Sequence, residues 1–81
     1  MGKEAGRRKL MLRLPELRGA LADQYSEALG EIFEAYDLAT NALERFQKQH
    51  PGQQTLINEY EQICREIEQE VVGLLLKKTE P

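Results

Sequence analysis

Between two long stretches of helical periodicity the chain holds one strong breaker, Gln49-His50-Pro51-Gly52. The residue before a proline avoids the helical region, proline lacks a backbone donor, and glycine supplies turn dihedrals. Whatever forms before Gln49 must stop there and begin again after Gly52. A connector this short makes the flanking helices antiparallel neighbours.

Helix A is predicted over about 15–49. Pro15 suits the first helical position, and Glu16 suits the positive end of the helix dipole. Ala22, Tyr25, Leu29, Ile32, Tyr36, Ala39, Leu43 and Phe46 recur at alternating threes and fours, the spacing of a coiled-coil seam. A second row, Leu14, Leu21, Ala28, Ala35 and Ala42, runs beside it at strict sevens. The combined face is broader than a two-stranded coiled coil needs and suits a bundle, its alanines allowing close approach of a neighbouring helix. Gly19 and Gly30 are the weak points, and Gly30 is the candidate position for a kink that would give three helices. After a turn at 50–52, helix B is predicted over about 53–78, with Ile57, Tyr60, Cys64, Ile67, Val71 and Leu74 on its seam and Leu56 and Ile63 beside it. No stretch alternates with the period of a strand, so the fold class is all-α, an antiparallel helical hairpin of two long helices.

At 1.5 Å per residue helix A would span about 52 Å and helix B about 37 Å. The overhang carries Leu17 and Leu21, and Val71 to Leu76 is apolar nearly all round. A chain of 81 residues is one small domain, and domains of this size are usually held by a staple or by association. A single Cys and a single His exclude an internal disulfide and two-histidine metal motifs, which leaves association. Leu17, Leu21, Val72, Leu75 and Leu76 are the expected association interface, and two hairpins pairing into a four-helix bundle would cover them. Tyr25, Leu29, Ile32, Tyr36, Leu43, Phe46, Ile57, Tyr60, Ile63, Ile67, Val71 and Leu74 are the expected core.

Charge is distributed unevenly. Residues 1–13 hold five basic residues against Glu4 alone, a charge of +4; the whole chain carries −3, so the remainder carries −7. With Gly2 and Gly6 among them, these residues read as a flexible basic arm preceding a hairpin domain over 14–81. Arg7, Arg8, Lys9 and Arg13 interleave with Leu10, Met11, Leu12 and Leu14, a pattern that can meet anionic lipid, nucleic-acid phosphate or an acidic protein groove. The acidic body repels a polyanion, so nucleic acid is the poorest of these partners and a membrane surface only a weak one.

Candidate chemistry is sparse. Cys64 falls on a seam and reads as a small core hydrophobe, since a catalytic thiol needs exposure and a basic neighbour. His50 lies in the turn with no nucleophile or orienting group placed by the sequence. The carboxylates lie mostly on polar faces, and no Glu-x-x-His pair suggests a dimetal centre. No catalytic, cofactor-binding or metal-ligating set is expected. Without an apolar run long enough to span a bilayer or to serve as a signal-peptide core, the expected location is the cytoplasm. The expected function is non-enzymatic: a small helical adaptor, co-chaperone or regulatory subunit that associates with itself or docks its apolar faces on a larger protein. The alternative is a peripheral binder of anionic membrane or nucleic acid acting through the basic arm.

Overall fold

A computed structural model describes residues 2–23, 26–50 and 52–79. It is all-helical: α1 (Gly2–Arg13), a 3-10 turn (Pro15–Leu17), α2 (Arg18–Asp23), α3 (Glu27–Gln49) and α4 (Gln54–Thr79), with no strand among the described residues.

The most consequential departure from the sequence reading is at the N-terminus. Residues 2–13 are not a flexible arm but a helix, and α1 packs more extensively on α3 than any other helix does. Gly6 makes this geometry attainable. It is buried, and a Cβ built on it would overlap the carbonyl group of Phe33, so the two backbones meet where no other residue fits. Leu10, one helical turn further on, is completely buried, as is Phe33 itself.

The long helix expected over 15–49 is likewise divided. α1 ends where Leu14 donates to Leu10 O, and Pro15 opens the 3-10 turn, with Leu17 N–H donating to Leu14 O. α2 is short. α3 then starts afresh from Ser26, whose extended backbone (φ −139, ψ 164) and side-chain oxygen, accepting from Leu29 N–H at 3.2 Å, form an N-cap. Glu27 in the first turn complements the dipole. The heptad spacing of Ala22 and Leu29 runs across this cap and masks it; Tyr25, between them, lies outside the described residues. Gly30 is not a kink: it is buried inside α3 and its N–H donates to Ser26 O. The longest dimension of the molecule, 47 Å, is shorter than the single helix A would have been.

Toward the breaker, α3 ends at Gln49, His50 N–H donates to Phe46 O and Gln53 N–H to His50 O, both at 2.9 Å. α4 returns along α3, so that Phe46 stacks on Tyr60 (5.4 Å between centroids) and Tyr36 reaches Glu68. α3 is thus shared between two neighbours: Phe33, Asp37 and Thr40 meet α1, and Tyr36 meets α4.

The core joins Leu10, Leu21, Leu29, Phe33, Tyr36, Ala39, Cys64, Val71 and Leu75. Phe33, Leu10, Leu21, Val71 and Leu75 are its largest fully buried side chains, each contributing roughly 1.5–3 kcal/mol by burial. Ile63 and Leu74, expected in the core, are instead 41% and 38% exposed. They lie on the flank of α4 that no helix of the protomer covers.

The contact at Gly6 sets a pair of expectations. Gly6→Ala forces α1 off Phe33 and lowers unfolding free energy by about 1–3 kcal/mol. Gly19→Ala, where an added Cβ meets nothing within 4 Å, raises it by about 0.5–1 kcal/mol through helix propensity. Urea denaturation followed by circular dichroism measures both.

Candidate functional site

The basic residues of α1 do not point uniformly into solvent. Arg7 pairs with Glu4 within the helix at 2.6 Å and, through that hydrogen bond, holds the Glu4 carboxyl below the usual carboxylate range. Lys9 reaches α3, where its ammonium lies 2.8 Å from each of Asp37 Oδ1, Thr40 Oγ1 and Asn41 Oδ1. Arg13 Nε lies 3.3 Å from Glu68 Oε2 on α4, and the same oxygen accepts a 2.6 Å hydrogen bond from the Tyr36 hydroxyl. Asp37 and Glu68 are both largely buried. The two contacts therefore tie α1 across α3 to α4. Of the four arm residues singled out in the sequence, only Arg8 has no ion pair among the described residues.

A cleft at this junction is lined by Arg13, Tyr36, Thr40, Cys64, Arg65 and Glu68 among others. Burial, reinforced by the hydrogen bond to Glu68, pushes the Tyr36 hydroxyl well above its ordinary value near 10. Burial and the same carboxylate push the Cys64 thiol up. Both shifts favour the neutral thiol and phenol over the thiolate and phenolate. His50 is elsewhere, exposed at the C-cap of α3, with its ring 5.6 Å from that of Phe46. Among the described residues no group of three or more His, Cys, Asp or Glu side chains is placed to hold a metal ion. No helix there is long and apolar enough to cross a membrane.

The residues expected to mediate association separate into three kinds. Leu21 and Leu75 are buried within the protomer, which corrects their assignment to an interface. With the helix broken before α3, Leu21 joins Leu29, Val71 and Leu75 in one buried cluster within the protomer. Leu17 and Val72 are half-buried and, with Leu76, line a shallow groove beside Leu14 and Pro15. Leu76 is 51% exposed.

A different apolar surface remains uncovered. At 100° per residue, Ala28, Ala35, Leu38 and Ala42 lie on the side of α3 turned away from α1, and Leu56, Ile63, Ile67 and Leu74 on the matching side of α4. Leu38 is 65% exposed, Ala28 and Ala35 are exposed, and Leu56 and Ile67 are half-buried. The alanine row is thus present as a shallow floor beside a ridge of larger side chains. No protein-family profile matches the chain, and neither curated proteins nor solved structures show significant similarity to it.

The Tyr36–Glu68 bond has a readable signature. A hydroxyl whose folded value is raised contributes stability that is complete below pH 10 and lost as the pH rises above it, where the unfolded chain ionises first. Tyr36→Phe should lower stability by about 1–3 kcal/mol at pH 7 and flatten its alkaline decline; melts between pH 7 and 11 test both effects.

Proposed function

We propose that this protein is a non-enzymatic protein-interaction module that takes a second copy of itself on the α3–α4 face turned away from α1. The observation that carries the reading is the exposure of Leu38, Ile63 and Leu74 together with the alanine row. Contiguous apolar surface of this kind on a small soluble chain usually marks a contact with another protein. Alanines on α3 allow a partner helix to approach closely, while Ile63 and Leu74 supply the anchors. Each anchor contributes roughly 1.5–3 kcal/mol when fully buried.

Joined through this face alone, two copies would make the four-helix bundle expected from the sequence. An adaptor, co-chaperone or regulatory role follows from such a surface as its use by a larger protein in place of a second copy. The membrane or nucleic-acid alternative draws less support, because Arg7, Lys9 and Arg13 are already engaged by carboxylates of the same chain.

Sedimentation equilibrium over about a hundredfold range of concentration tests the reading. The wild-type protein should exceed its monomer mass of 9.3 kDa, while Ile63→Glu/Leu74→Glu should remain monomeric with unchanged helicity. A wild-type protein that stays monomeric throughout the range overturns it.

A further inference from the structure

Two of the apolar patches that the protomer exposes have borders of opposite sign. On the outer side of α1, Leu12 is 73% exposed and surrounds a shallow depression together with Met11, Arg8 and Arg18. Neither Arg8 nor Arg18 forms an ion pair with a described residue. On α4, Glu59, Glu66 and Glu70 are exposed and alternate with Ile63 and Leu74 at intervals of three and four, which puts all five on one stripe. None of the three carboxylates has an ion pair with a described residue, Glu66 accepting only from Gln62. α3 adds Glu27 and Glu31 to the border of the same face, against Arg45.

Two copies meeting through identical α3–α4 faces would bring like-charged borders together, which disfavours that arrangement. The α1 patch has the complementary character: a protruding Leu12 where the α3–α4 face has its alanine floor, and cations where that face has carboxylates. We propose that the second copy engages the α3–α4 face through its Leu12 patch, with Arg8 and Arg18 opposite the Glu59, Glu66 and Glu70 stripe. The proposal rests on the reading that a second copy is the occupant, and it specifies which surface of that copy is used. Since the two surfaces differ and lie on opposite sides of the protomer, the contact is head-to-tail. Such a contact leaves one patch of each kind unfilled at the ends, so assembly extends or closes into a ring and does not stop at a two-fold dimer.

Sedimentation velocity of the full chain tests this with Arg8→Glu/Arg18→Glu, Glu66→Lys/Glu70→Lys, and the chain carrying all four changes. Each pair of changes alone should weaken self-association at least tenfold, and all four together should restore it, because the swapped borders are again opposite. Leu12→Ser, a change at an exposed position, should weaken association without altering the borders. Wild-type assemblies should grow beyond two copies with concentration and shrink as salt rises from about 0.05 to 0.5 M, where screening shortens the Debye length from about 14 to about 4 Å. A closed dimer that persists in Arg8→Glu/Arg18→Glu overturns the head-to-tail contact while leaving the second-copy reading intact. A four-change chain that stays as weak as its parents also overturns it. A wild-type chain that is monomeric at every concentration overturns both.

Discussion

The arrangement of this protein depends on the meeting of two backbones, Gly6 of α1 against the Phe33 carbonyl of α3. With a side chain at position 6 the helices would stand further apart, Leu10 would lose its buried site, and Lys9 would fall short of Asp37. Everything that distinguishes the molecule from a plain hairpin follows from this approach. α1 takes one flank of α3, residues 15–23 return toward the start of α3, and the opposite flank of the α3–α4 pair is left open.

Electrostatics reinforce this packing at a few points. The basic end of the sequence and its acidic remainder are brought together where Lys9 meets Asp37 and where Arg13 shares Glu68 with Tyr36. Asp37 and Glu68 are the more buried partners, so their pairing matters more than that of exposed pairs such as Lys48 with Glu44, which contribute little. Removing either cation would leave a largely buried carboxylate without its counter-charge, a costlier state than a missing surface pair. What is left without an ion pair among the described residues marks the outer surface: Arg8 on α1, Arg18 on α2 and carboxylates along α4.

The helical class and the stop at Gln49 were legible because both rest on local chemistry, the spacing of apolar residues and the backbone limits of His50-Pro51-Gly52. The seat of α1 was not. Gly2 and Gly6 weaken an isolated helix, so propensity argued for an arm; only the tertiary contact turns Gly6 into an advantage. Gly2, Gly6 and Leu10 nonetheless stand four residues apart, a spacing that marks one face of a helix with room for a neighbour. Phe33 was overlooked because it lies off the row through Ile32 and Tyr36, and its own row continues into Asp37 and Thr40, which look like surface positions until Lys9 arrives. Ser26 carried the most accessible missed signal: a capping residue followed by Glu27, hidden under an apolar spacing that runs unbroken across it. That hidden break is also why Leu21 and Leu75 seemed to need a partner from outside the chain.

The distance in sequence between Arg13 and Glu68 has a consequence for how the chain acquires its structure. Lys9 and Thr40 are 31 residues apart, and Glu68 follows Arg13 by about 55. During synthesis at roughly 5–20 residues per second, Glu68 follows Arg13 by about 3–11 s. Late in that interval α3 is complete, so Gly6 and Lys9 can meet Phe33 and Asp37 before α4 is finished. The tie to α4 is thus an addition to a seat that α3 largely provides.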